Sequence, residues 1–172
     1  MKVETYILKE WEESTAGLLL AEDKEWILVK HIPVDYAIDG YRIYKKEFVE
    51  KRERTDAEKQ IERVLALKGI KSKAPVDFEF SNTVGLIKWV ESNYGLFEFQ
   101  DDDESEIFYG QIDAVNGNGL TIKLLAADGS IDTSFNYEFD ISRIRVLEFE
   151  TDYHLSMKLL LDDNKQQTKN DA

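Results

Sequence analysis

The 172-residue chain contains no cysteine. That excludes disulfides, thiolate metal sites and a cysteine nucleophile, and it fits a reducing cytoplasm. Histidine is nearly as scarce, with two in the chain. His31 falls in an apolar run and is expected to be structural. His154 lies near the acids Glu150 and Asp152 and is expected at the surface. Neither has a second histidine or a cysteine at metal-ligand spacing. Prolines number two, so extended proline-rich linkers are excluded. No apolar run reaches the roughly 18 residues that a membrane helix needs. The start, Met1-Lys2-Val3-Glu4, turns polar by Lys9, which gives no secretory h-region. No Gly-x-Ser-x-Gly elbow and no glycine-rich phosphate loop with its lysine occurs.

What is present is apolar and acidic. Hydrophobic residues make up 42% of the chain and aromatics 12%, enough for a packed core. The net charge of −13 repels nucleic acid and anionic membranes on average. Residues 42–73 depart from that average. They carry eleven Lys/Arg against six acids, a net +5, which leaves −18 for the remainder. This segment either lies against acidic surfaces of its own chain or offers a stripe to an acidic partner.

The chain matches itself at an offset of 93 residues. Gly17 meets Gly110, Ala21 meets Ala114, Lys30 meets Lys123, Asp35 meets Asp128, Ile38 meets Ile131, Asp39 meets Asp132 and Tyr44 meets Tyr137. Apolar positions agree as well, Ile27 with Leu120 and Val29 with Ile122, with no gap from 17 to 48. A rival match at an offset of 78, Trp11–Leu18 against Trp89–Leu96, is shorter and pairs a strand end with a helix. The longer register is preferred, and it implies a duplicated unit.

Each copy reads as a meander of short strands. In the first, Thr5–Trp11, Ala16–Ala21, Trp26–Ile32 and Tyr41–Lys45 are separated by turn residues such as Asp23, Pro33 and Asp39-Gly40. In the second, strands are expected at Leu96–Gln100, Ile107–Val115, Leu120–Leu124, Ile131–Phe139 and Arg143–Phe149. Asn116-Gly117-Asn118-Gly119 signals a hairpin, and Asp101–Glu106 an acidic loop. Between the copies, Thr55-Asp56-Ala57-Glu58 is a capping box that starts a helix ending at Gly69. A second helix runs from about Ser81 to Asn93 and stops at Gly95.

The segment Gly17–Phe48, with Trp26-Ile27-Leu28-Val29-Lys30-His31-Ile32 and Asp35-Tyr36-x-x-Asp39-Gly40-Tyr41, resembles uncharacterised bacterial proteins with SH3-like or Sm-like barrels. Gly110–Phe149 resembles the same pattern more loosely, with Thr133 and Ser134 in place of Gly and Tyr. The resemblance implies a fold and no established activity. The expected class is therefore α+β, mainly β: two small SH3-like/Sm-like five-stranded barrels joined by a two-helix segment. The expected limits are a first barrel at 1–54, a helical connector at 55–95, a second barrel at 96–161 and a disordered tail at 162–172.

Candidate binding residues are the paired aspartates Asp35/Asp39 and Asp128/Asp132, with Tyr36, Tyr41 and Tyr44. Two carboxylates in one loop suit a hard cation or acid–base work, and equally suit the capping of a turn. Tyrosines on a barrel groove bind peptides or bases, and also fill cores. The leading expectation is a non-catalytic cytoplasmic protein that binds another protein, one of basic surface, with no cofactor and no membrane. RNA binding through the 42–73 segment is the alternative, disfavoured by net charge. A small cation-dependent enzyme using the aspartates is the third.

Overall fold

The computed structural model describes residues 1–170. Five strands come first: β1 Val3–Leu8, β2 Ser14–Glu22, β3 Trp26–Ile32, β4 Tyr41–Lys45 and, after a 3₁₀ turn, β5 Val49–Glu53. Two helices follow, α1 Asp56–Leu67 and α2 Thr83–Tyr94. Then come β6 Phe97–Gln100, β7 Phe108–Asn116, β8 Gly119–Leu124, β9 Glu138–Asp140, a second 3₁₀ turn, β10 Val146–Phe149 and α3 Asp152–Asn170. All ten strands form one antiparallel sheet in the order β5-β1-β2-β3-β4-β10-β6-β7-β8-β9. The class is α+β, mainly β. No helix among the described residues is long and apolar enough to cross a membrane.

The pairing pattern recurs along the chain. Gly17 lies opposite Glu4, and Gly110 opposite Phe97. Leu19 faces Val29 and Ile112 faces Ile122, with a register shift after Leu19 in one ladder and after Ile112 in the other. Each of these correspondences is separated by 93 residues. The backbone bonds Asp39 N–H to His31 O and Asp132 N–H to Leu124 O keep that spacing. Beyond Asp132 the spacing becomes 95: Tyr44 pairs with Ile27, whereas Phe139 pairs with Leu120. Two extra residues thus lie between Asp132 and β9. The gapless match of Tyr44 to Tyr137 gives way to Tyr44 with Phe139.

Local chemistry explains the elements. Thr55 and Glu58 form the reciprocal capping box of α1, with the Thr55 N–H donating to Glu58 at 2.6 Å. Asn82 caps α2, and Gly95 ends it at φ +85°, a conformation that costs a Cβ-bearing residue energy. Gly117-Asn118 joins β7 to β8, as the Asn-Gly pattern predicts. Ile27 and Leu120 are both buried strand residues.

Three expectations change. Two separate closed barrels are not what forms: the sheet is open and continuous, because β4 pairs with β10, Tyr44 opposite Val146 and Tyr41 opposite Phe149. That contact satisfies two strands that would otherwise be bare edges. The core crosses the seam too, since Leu86, Ile87 and Val90 of α2 pack with Leu28 and Ile43 of one half and Phe97, Phe99 and Leu147 of the other. Secondly, the strand expected at Ile131–Phe139 shrinks to β9. Asp128 accepts bonds from Ser130, and Asp132 from Ser134, which turns the backbone away from the ladder. Thirdly, residues 162–170 of the expected tail are helical in α3, whose Met157 and Leu161 pack on Leu96 and Leu125. Residues 171–172 of that tail lie outside the described residues.

Candidate functional site

The seam between the halves brings charged residues into the sheet. Because β10 lies between β4 and β6, Glu148 faces Arg42 on one side and Glu98 on the other. Tyr109 of β7 then faces Glu98. Alternation along each strand puts this row on one face, with His31, while Tyr41, Leu147, Phe149, Phe97 and Phe99 face α2. Arg42, Glu148, Glu98 and His31 are all buried, at 8%, 2%, 3% and 7% exposure.

Each buried charge has a compensation. The Arg42 guanidinium pairs with the Glu148 carboxylate and donates to Thr15 Oγ1 at 2.9 Å. Burial disfavours the Arg42 charge, but Glu148 and Tyr44 together more than reverse this and hold the guanidinium protonated. Glu98 is pushed up to about 8, by burial and by the Glu148 carboxylate opposite. One carboxylate of the pair therefore holds its proton at neutral pH. The Thr151 hydroxyl lies 3.4 Å from Glu98. Burial and then the Arg42 charge push His31 down to about 3, so the ring is neutral at pH 7. Its Nδ1 is 3.7 Å from Glu148.

A cleft of about 240 Å³ opens beside this row. Both halves build it: Trp11 and Glu13 from the β1–β2 turn, Thr15, His31 and Arg42 from the first half, and Gln100, Glu104 and Ile107 from the second. The turn and the acidic loop hold each other. Glu104 accepts from the Glu12 N–H at 2.9 Å and the Glu13 N–H at 3.2 Å, and Trp11 Nε1 donates to Asp102 O at 3.3 Å. Gln100 Nε2 donates to Glu104 O at 2.9 Å. Two buried polar groups of the cleft lining, Gln100 Oε1 and Arg42 Nε, have no hydrogen-bond partner among the described residues, and the His31 ring lies between the Asp39 backbone and Glu148. They lie beneath a rim that carries the carboxylates of Glu13 and Glu104.

The residues singled out from sequence do not converge here. Asp35 is exposed at φ +48°. The Tyr36 hydroxyl accepts from Gln60 at 2.7 Å and its carbonyl from Lys68 at 2.8 Å, docking the loop on α1. Asp39 accepts from the Asp152 N–H at 2.7 Å, at the start of α3. Tyr41 stacks on Phe149 and Tyr44 on Tyr6, the latter pair buried. Asp128 and Asp132 occupy the turns described above. No group of three or more His, Asp or Glu among the described residues could hold a metal ion.

His154 is wholly buried instead of exposed, and burial lowers it to about 4. It sits one α-helical turn before Met157, on the inner face of α3. In the 42–73 segment, Lys46 pairs with Glu22 at 2.7 Å, Arg52 with Glu4 and Glu22 at 2.5 and 2.9 Å, and Arg54 with Glu62 at 2.8 Å. The stripe lies largely against acids of its own chain.

Glu98, Glu148 and Gln100 form the site without having been singled out. A signal existed: Phe97-Glu98-Phe99-Gln100 and Val146-Leu147-Glu148-Phe149 each set a polar residue inside an apolar strand that is buried throughout. No family model matches the chain, and neither a curated protein nor a solved structure matches it.

Proposed function

We propose that this chain is a non-catalytic cytoplasmic interaction protein made of two SH3-like or Sm-like five-stranded units, whose seam cleft binds a basic segment of a protein partner. The recurrence of ladder registers at 93 and 95 residues supports the duplicated unit. One observation carries the binding site: hydrogen-bonding atoms of Gln100 and Arg42 are buried at an acid-rimmed cleft without partners among the described residues. Leaving such groups unmatched costs free energy that a bound peptide recovers. A peptide backbone supplies both donors and acceptors, and Lys or Arg side chains complement Glu13 and Glu104. The ion pairs within residues 42–73 weigh against RNA binding, because those cations are already neutralised.

The test is calorimetric titration with a short Lys/Arg-rich peptide, its acidic counterpart and a Glu13→Lys variant. The basic peptide should bind and weaken with added salt, and Glu13→Lys should reduce its affinity about tenfold. Equal binding of the two peptides, or no effect of Glu13→Lys, would overturn the proposal.

A further inference from the structure

The acidic loop 101–107 borders a second cavity on its other side. Phe108 of β7, Phe135 and Tyr137 of the preceding connection, and Phe139 of β9 line a groove of about 320 Å³ together with Asp101 and Glu106. The rings meet at angles. Phe108 and Phe139 are 4.6 Å apart at 64°, and Tyr137 and Phe139 4.7 Å apart at 72°. Phe139 is the buried floor, while Tyr137 is 54% exposed at the rim. Exposing aromatic surface beside water is unfavourable unless something covers it.

The charges name the occupant. Within the loop, Asp102 pairs with Arg143, Asp103 accepts from Ser105, and Glu104 holds the β1–β2 turn. Asp101 and Glu106 join no ion pair among the described residues, and they are the two acids that line the groove. Aromatic faces are electron-rich and attract cations, most strongly those that hold water weakly. An ammonium with free N–H groups is strongly hydrated and gives up that water at a cost when it enters a groove walled by four rings. A fully alkylated nitrogen has none to satisfy, fits the apolar walls and matches the two carboxylates.

We propose that the groove formed by Phe108, Phe135, Tyr137, Phe139, Asp101 and Glu106 binds a small quaternary ammonium ion. It is separate from the seam cleft, since it shares no lining residue with it. Cation and cage differ from a general apolar groove in one respect: charge matters as well as shape.

The experiment is an NMR titration of the full chain with choline and with 3,3-dimethylbutan-1-ol, its neutral isostere. Choline should shift the Tyr137 and Phe135 ring resonances saturably, and the isostere should bind at least about tenfold more weakly. Tyr137→Leu should abolish choline binding, Tyr137→Phe should retain it, and Asp101→Asn with Glu106→Gln should weaken it severalfold. Tyr137 is half exposed, so these variants fold, and unchanged resonances of the seam residues check this. Equal binding of the isostere would overturn the proposal, as would retention of binding in Tyr137→Leu. Binding confined to a peptide bearing trimethyl-lysine, with none of free choline, would also overturn it.

Discussion

The two halves run the same ladder in opposite positions, and their compositions follow position. β5 and β10 are counterparts, each paired with the first strand of its half. β5 is an edge strand reading Val49-Glu50-Lys51-Arg52-Glu53 and is partly exposed. β10 is central, reading Val146-Leu147-Glu148-Phe149, and is buried throughout. The fourth strands show the reverse. β4 is central with three buried residues, and β9 is a three-residue edge carrying Glu138 and Asp140. Charges on an exposed edge deter pairing with other chains, and the seam needs apolar partners. The exceptions at the seam are Arg42 and Glu148, the latter the counterpart of Glu53 at a spacing of 95.

That pair gives the largest expected contrast. Glu148→Ala strands the Arg42 charge in the sheet and should cost about 3–5 kcal/mol. Glu53→Ala, which loses a partly exposed pair with Lys51, should cost under about 1 kcal/mol. Chemical denaturation of both variants measures the difference. Equal costs would erase the distinction between seam and edge.

The next contrast concerns two glycines in corresponding ladder positions. A Cβ on Gly110 would sit 2.7 Å from the Lys123 carbonyl oxygen, and one on Gly17 2.6 Å from Val29 Cγ2. Both Ala variants should lower stability by about 1–3 kcal/mol. Gly110→Ala should lose more, since backbone yields less than a side chain, and thermal melts resolve the order.

Acidity separates the halves further. Glu98, whose counterpart is Thr5, is raised to about 8 in the folded chain from an ordinary 4.5. The folded state therefore holds a proton that the unfolded state has lost between those values. Stability attributable to Glu98 is full below about pH 4.5 and is lost as pH rises through 8. His31 and His154 act oppositely. They are lowered to about 3 and about 4, so the unfolded state takes up protons first, and stability falls as pH drops below 6.5. Melting temperature should decline from pH 6.5 to 8.5 in the native protein and stay flat in Glu98→Gln. A native profile that rises over this interval would contradict the assignment. The smallest effect concerns the edge: Glu50→Val with Lys51→Thr should leave the melt nearly unchanged but promote self-association, seen by light scattering.

Much of the sheet was legible because its signals are local. Asn116-Gly117, the Thr55 capping box, Gly95 and the alternation in β8 each specify structure within a few residues. The seam was not legible. Pairing of β4 with β10 joins residues about 100 positions apart, and edge strands carry no mark of their partner. Glu98 and Glu148 gain meaning only once β10 is set between β6 and β4. The Asp pairs looked chemical because carboxylates that cap turns and carboxylates that bind ions use the same residue. The aromatic groove was hidden by reading Phe135 and Tyr137 as alternating strand residues. The helical face of α3, His154, Met157 and Leu161, was masked by its polar surroundings.

The seam cleft is tested most directly by side-chain NMR during titration with a basic peptide. The Gln100 amide, the His31 ring and the Trp11 indole should shift together and saturate at one equivalent, while Glu53 and Glu138 at the edges stay still. Shifts spread over the acidic surface without saturation, leaving Gln100 and His31 unmoved, would contradict a binding site at the junction of the halves.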